Sequence, residues 1–258
     1  MKTNYTNTLV GNKSVKKEID FFRSKSKLYG HCGTKPNNLI IQLDSGEGRT
    51  AIMEYAIGVF KEFSTIDFSS GRDDFIECKF DGTLQNYKNC MVQISDAAEY
   101  ANHFYGGIAV DCTSISNHYT EKHYDDFIKS FSEICNNAWV VFFFSSVPSH
   151  NEEKLIKRLK DSIKNITHIK YEAYTVKELA SIFLEKLNAF GIGFGTEKVL
   201  LPSLTELLKS NDIVNVKRTI NLSVMALDFI DYEDSHPIFS VECVEKLNNE
   251  LGKETIVK

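Results

Sequence analysis

The chain has 258 residues, 42% of them hydrophobic and 25% charged, with 30 Lys/Arg against 35 Asp/Glu for a formal net charge of −5. These globular proportions exclude a disordered chain, a collagen and a whole-chain coiled coil, and at roughly 150 residues per domain the length accommodates about two domains. The six cysteines, Cys32, Cys78, Cys90, Cys112, Cys135 and Cys243, fall singly and never as C-x-x-C, which argues against a zinc site and a disulfide framework and reads as reduced thiols, mostly packing.

Residues 1–35 hold eight Lys/Arg and two Asp/Glu, a local net of +6. These basic residues alternate with apolar ones at helical spacing, which favours a salt-bridged helix face over a nucleic-acid arm. The first buried run is Leu39–Leu43. It leads through Asp44-Ser45-Gly46-Glu47-Gly48-Arg49-Thr50 into a helix whose apolar face is Ile52, Tyr55, Ala56, Val59, Phe60 and Phe63. Strand, glycine turn and helix in that order form the layout of a phosphate-binding βα unit.

Phe75–Phe80 alternates like an edge strand with one wetter face. A long helix is expected over Leu84–Phe104, and Gly106-Gly107 then open the strand Ile108–Asp111. The helix Thr120–Asn136 buries Tyr124, Phe127, Ile128, Phe131, Ile134 and Cys135. Trp139–Phe144 is the most apolar strand, which places it centrally in the sheet. Ala138–Phe144 is also the longest apolar run, far short of the roughly 20 residues that cross a bilayer, and Met1–Val10 has no apolar signal core, so a cytoplasmic protein with no membrane partner is expected. A helix over Glu152–Ile163 and a strand over His168–Lys170 complete five βα units.

From Tyr171 the pattern changes to helices only. Thr175-Val176-Lys177-Glu178 is a capping box, and further helices fit Glu197–Ser210, Val214–Ile230 and Ser240–Leu251. The fold class is therefore α/β: an αβα sandwich with a five-stranded parallel sheet over residues 1–170, of which 1–37 are an N-terminal box and linker, followed by a small all-α domain over 171–258.

The pattern G-x-x-x-x-G-K-[S/T] binds phosphate because a glycine loop turns backbone amides inward, a lysine reaches the terminal phosphates and a hydroxyl binds magnesium. The corresponding residues here are Leu43, Gly48, Arg49 and Thr50, so two of the four match. Leu43 removes a glycine suited to close backbone approach, and Arg49 carries a planar fork in place of a point ammonium.

With these residues in place the chain resembles the AAA+ ATPases, in particular the group containing the red-type Rubisco activase and a bacterial sporulation ATPase. Leu9-Val-Gly-Asn-Lys-Ser-Val-Lys-Lys-Glu-Ile19 is similar to the box that opens those domains, Gly106-Gly-Ile-Ala-Val-Asp111 to their Walker B strand, and Asn215-Val-Lys-Arg-Thr-Ile-Asn-Leu222 to their sensor-2 helix. The resemblance implies ATP or ADP with magnesium as cofactor. It implies Val10 and Gly11 against the adenine, Ser45, Gly46, Glu47, Gly48 and Arg49 around the phosphates, and Thr50 and Asp111 at the magnesium. It further implies Ser145 or Ser146 as sensor 1, Lys217 as the first basic residue of sensor 2, and Arg158 as the candidate finger toward a neighbouring subunit. Asp111, Ser145 and Arg158 are thus the candidate catalytic residues. Phe80-Asp81-Gly82 lies where hexameric members carry a pore loop, although packing at a strand end explains the same residues.

Four positions depart from the pattern: Leu43, Arg49, Cys112 where the family places its water-activating glutamate, and Ile220 where it places the second sensor-2 arginine. A thiol cannot replace that carboxylate base. The resemblance and its departures together describe a retained fold with lost catalysis: a pseudo-ATPase subunit working through other AAA+ subunits, copies of itself or a protein client, with no nucleic acid. The alternatives are an active ATP-driven protein-remodelling enzyme rescued by Glu47 or a neighbour's carboxylate, a small P-loop kinase, and a nucleic-acid-loading ATPase. His118 and His123 beside Asp125 and Asp126 lack metal-ligand spacing, Asp231, Glu233, Asp234 and His236 read as a solvated acidic loop, and no G-x-S-x-G elbow occurs.

Overall fold

The structure is a computed structural model, and it describes residues 9–29, 36–62, 75–79, 89, 92, 107–113, 115, 120–230 and 237–256. The expected helix over 84–104 (apart from Asn89 and Val92), the Phe80-Asp81-Gly82 turn, Gly106, His118, the acidic loop at 231–236, Cys32 and Cys90 lie outside the described residues. The chain divides into two compact units, Lys13–Glu172 with Leu9, and Val10–Asn12 with Ala173–Lys258.

In the first unit the order is α1 (Lys13–Tyr29), β1 (Asn38–Gln42), α2 (Arg49–Glu62), β2 (Phe75–Lys79), β3 (Gly107–Asp111), α3 (Glu121–Asn137), β4 (Trp139–Phe144), α4 (His150–Ser162) and β5 (Ile166–Ile169). The five strands form one sheet in the order β2-β3-β4-β1-β5, with every pair parallel. Alternate side chains feed two cores, as the two-residue period of a strand requires. Ile40, Val110, Val140, Phe142 and Phe144 pack with Phe127, Phe131, Leu155 and Leu159 of α3 and α4. Leu39, Ile41, Leu43, Ala109, Trp139, Val141 and Phe143 pack on the other face with Val15, Ile19 and Phe22 of α1 and Ile52, Ala56 and Phe60 of α2.

This two-sided burial explains why β4 reads as an unbroken apolar run: all six of its residues are buried, and it lies between β3 and β1. β2 is the edge strand that its alternation predicts. Edge-on aromatic contacts key both layers, Phe22 and Trp139 against Phe60 on one side and Phe131 against Phe142 on the other. Asn38 is a buried polar pin between them: its amide nitrogen donates to the Cys135 carbonyl at 3.2 Å and its oxygen accepts from the Val140 amide at 2.8 Å. β5 starts two residues earlier than expected, because Asn38 pairs in register with Ile166.

The second unit contains α5 (Val176–Ala189), β6 (Gly193–Phe194), α6 (Glu197–Ser210), α7 (Val216–Met225), a 3-10 turn (Ala226–Phe229), β7 (Ile238–Phe239) and α8 (Val241–Ile256). Leu179, Phe183 and Leu187 of α5, Leu200, Leu204 and Leu208 of α6, Leu222 of α7 and Leu247 of α8 close one core. The capping box at the start of α5 is present: the Thr175 hydroxyl accepts from the Glu178 amide at 3.3 Å while Glu178 accepts from the Thr175 amide at 2.7 Å. The expected helix Val214–Ile230 is shorter, since the chain tightens into the 3-10 turn around Ala226, a fully buried small residue. The parallel pair β6–β7 has too few residues to show a strand period, so the helical pattern alone does not reveal it.

Candidate functional site

The strand order sends the connections after β1 and β4 to opposite faces of the sheet, through α2 on one side and α4 on the other. In parallel α/β sheets that divergence opens a crevice at the carboxyl ends of the two strands. Here those two strand ends carry the Asp44–Thr50 loop and Ser145-Ser146.

The loop leaves β1 with the Leu43 amide bonded to the Phe144 carbonyl at 2.8 Å, so Leu43 still belongs to the sheet, and its side chain is buried in the α1/α2 core. The chain then reverses with the Glu47 amide on the Asp44 carbonyl at 3.2 Å. Gly46 (φ 87°) and Gly48 (φ 94°) take left-handed conformations that L side chains avoid. The Gly48 carbonyl receives the Ile52 amide at 3.0 Å, which starts α2 with no acidic residue in its first turn. Glycines in these conformations before a helix start are what an anion-binding loop requires.

The polar side chains around this loop are largely committed to one another. Asp44 accepts the Ser146 amide at 2.9 Å and the Ser146 hydroxyl at 2.6 Å, which bridges β1 to β4. Partial burial pushes the Asp44 carboxyl upward, but those bonds and the nearby Arg49 outweigh it and hold it below its ordinary value. The Arg49 side chain turns back under the loop: its guanidinium bonds the Leu43 carbonyl, meets Asp111 at 2.9 Å and stacks on Phe143 with 5.3 Å to the ring centroid. Thr50, in the first turn of α2, is exposed, and Glu47 is buried. Tyr171 lies near Glu47 and Asp44, and burial first and those two carboxylates second raise its phenol.

At the end of β3, Asp111 accepts from the amide of Thr113 at 3.1 Å and its hydroxyl at 2.7 Å. Cys112 is fully buried, with its amide on the Phe143 carbonyl at 2.8 Å. Burial, reinforced by the charges of Asp111 and Glu152, pushes its thiol well up, so it remains protonated. At the end of β4, Ser145 gives its amide and hydroxyl to Glu152 Oε1 at 3.1 and 2.7 Å, and Ser149 gives its amide to Oε2 at 2.6 Å. Glu152 is 2% exposed, so this buried carboxylate caps α4 and ties Ser145 down. Its role is signalled in the sequence by Ser149-x-x-Glu152, the same capping spacing as Thr175-x-x-Glu178.

Arg158 on α4 pairs with Glu121 and, at 2.7 Å, with Asp125, both on α3, and lies over the Tyr124 ring. His123 accepts the Thr120 amide at 3.1 Å where α3 begins. In the second unit, Gly11 (φ 71°) lies so close to the Tyr174 ring that a β-carbon there would collide with it, and the Asn12 side-chain Nδ2 donates to the Tyr174 hydroxyl at 2.5 Å. Val10 is half-buried, Lys217 is exposed in the first turn of α7, and Ile220 packs on the helical core.

No protein-family model matches the sequence, and no curated protein matches it. Solved structures do. The Thermotoga maritima RuvB Holliday junction branch migration motor aligns with 95% of this chain and 72% of its own at a TM-score of 0.57 and 16% identity. Domain III of the Thermotoga maritima replication initiation protein DnaA aligns over 97% and 98% with a TM-score of 0.54 and 12% identity. The Aeropyrum pernix Orc1 protein in complex with DNA aligns over 97% and 68% with a TM-score of 0.53 and 12% identity. The fold is of the AAA+ type. The likeness holds at 12–16% identity, so it is one of backbone architecture. The five-stranded order β2-β3-β4-β1-β5 and the helices on both faces place the Asp44–Thr50 loop, Asp111 and Ser145-Ser146 along one edge of the AAA+-type sheet. No helix among the described residues is long and apolar enough to cross a membrane.

Proposed function

We propose that the chain is a degenerate AAA+ module, nearest the Rubisco-activase and sporulation group, with residues 1–170 as a nucleotide-binding-type domain and 171–258 as its helical lid. It is a cytoplasmic regulatory or structural subunit, with weak or absent nucleotide binding and little hydrolysis, and it acts through assembly with AAA+ subunits or a protein client. The observation that carries this is Cys112. The position that must supply a carboxylate base holds a protonated thiol sealed in the core. Glu152, the acid beside it, is consumed by Ser145 and Ser149. Water activation and transition-state charge stabilisation each commonly contribute factors of about 10² or more, so their loss slows turnover severely.

If ATP or ADP binds, Ser45, Gly46, Glu47 and Gly48 are the residues of the first unit that would line its phosphates; Val10, Gly11 and Lys217 are the residues of the second unit that the resemblance assigns to nucleotide. The magnesium donors fit poorly, since both Asp111 oxygens already accept bonds from Arg49 and Thr113. Steady-state phosphate release from purified protein tests the proposal. Turnover should stay at least a hundredfold below the roughly 1 per second or more of working ATPases. A rate near about 1 per second that Asp111→Ala abolishes would establish the active remodelling enzyme instead.

A DNA-binding role is the second reading. It is favoured by the exposed Lys13, Lys17, Lys25 and Lys27 on α1 and by the likeness to a protein solved with DNA. It requires duplex binding that weakens steeply with salt.

A further inference from the structure

The phosphate-loop pattern puts a lysine where this chain has Arg49, and the difference in shape has a consequence at Asp111. The Arg49 and Asp111 side chains are 14% and 25% exposed, with Nη1 and Oδ2 2.9 Å apart. Nε and Nη2 both donate to the Leu43 carbonyl, at 3.0 and 2.7 Å, and the Phe143 ring lies against the guanidinium. The planar fork therefore bonds the strand end of β1 with one edge and the carboxylate ending β3 with the other. A compact ammonium has no such second edge. The other carboxylate oxygen, Oδ1, takes the amide and hydroxyl of Thr113. A magnesium ion demands near-octahedral oxygen ligands and keeps several waters. To take Asp111, directly or through water, it would have to expel the guanidinium and leave two cations side by side in a part-buried site.

We propose that Arg49 is the resident cation of this site and closes Asp111 to magnesium, so that any phosphate-bearing ligand of the Asp44–Thr50 loop is taken up without a divalent ion. This rests on the reading of that loop as a phosphate loop, and it does not rest on the absence of hydrolysis.

The test uses the full chain, with ADP as the probe, titrated in magnesium and in EDTA and followed by calorimetry and thermal unfolding. The affinity should agree within about twofold between the two conditions. A tenfold or greater gain with magnesium that is lost in Asp111→Asn overturns the proposal. Where ADP has no effect in either condition, a double-mutant cycle of Arg49→Gln and Asp111→Asn on the unfolding equilibrium decides. The pair should be non-additive by at least about fivefold in the unfolding constant, and additivity overturns the proposal. If Arg49→Gln fails to fold, Arg49→Met, which keeps the stem and removes the charge, takes its place in the cycle with the same two outcomes. Fast magnesium-dependent ATP turnover removes both this proposal and the pseudo-ATPase reading. Slow turnover with magnesium-dependent ADP binding removes only this one. Tight ADP binding that ignores magnesium removes only the weak-binding part of the earlier reading.

Discussion

Two helix starts lie at the same edge of the sheet and have opposite electrostatic designs. α4 begins at Ser149 with Glu152 and Glu153 in its first turn, and Glu152 folds back to satisfy the Ser149 amide and both donors of Ser145. Its positive helix end is neutralised by the chain's own carboxylate, which leaves nothing for a ligand. α2 begins after Gly46 and Gly48 with no acid in its first turn, so no carboxylate of its own first turn caps it as Glu152 caps α4. The cation that follows, Arg49, is nevertheless bound to Leu43 and Asp111. The difference teaches that one helix start is closed by its own carboxylate, while at the other the cation that follows the glycine turn is spent on holding strands β1 and β3 together.

The comparison breaks most easily at Leu43. If its place in the loop were functional, a glycine there would restore the phosphate-loop pattern at little cost. Because the side chain is 1% exposed in the α1/α2 core, Leu43→Gly should instead destabilise the unit by about 3–5 kcal/mol, the sum of a lost buried leucine and a freer unfolded chain. Urea unfolding followed by circular dichroism checks this, and a loss under about 1 kcal/mol would remove Leu43 from the fold's account.

At the other start, Glu152→Ala leaves three donors near the protein interior without their acceptor, and should cost about 2–3 kcal/mol. Glu152→Gln keeps an acceptor oxygen and should lose less. Equal losses would mean that the carboxylate's charge, rather than its hydrogen bonds, matters at α4. The same seclusion governs the cysteine between the two starts. Cys112 is fully buried and held protonated, so native-state thiol labelling near neutral pH, read by mass spectrometry, should leave it unmodified until the protein unfolds.

The fold was legible because burial writes itself into composition. β4 is apolar at every position because both of its faces are covered, and β2 alternates because it is an edge. The loop was legible because glycines at 46 and 48 have a backbone reason to be there. The direction of Arg49 was not, since sequence gives the charge and reach of a side chain but not which of several acceptors wins. Ser145 stands out in the sequence by its place at a strand end, whereas its partner Glu152 does not, because a capping box is a local signal whose long-range use depends on where the helix docks. The β6–β7 pair and the tightened end of α7 involve too few residues for any period to register.

The smallest effect concerns the bond that joins the two starts, from Ser146 to Asp44. Asp44 is held below its ordinary value in the folded protein despite an opposing push from burial, so its contribution to stability is fully present above the unfolded aspartate range, near about 3.9. It is lost as the pH falls through the lower folded value. Ser146→Ala removes the hydroxyl but keeps the amide bond, and because Asp44 is mostly exposed the cost at neutral pH should be below about 1 kcal/mol. Unfolding midpoints of the two proteins should therefore differ slightly at pH about 7 and converge as the pH falls below the unfolded aspartate range and through the lower folded value. A difference that grows on acidification would mean that Ser146 holds β4 against β1 by packing and not by its bond to a charged Asp44.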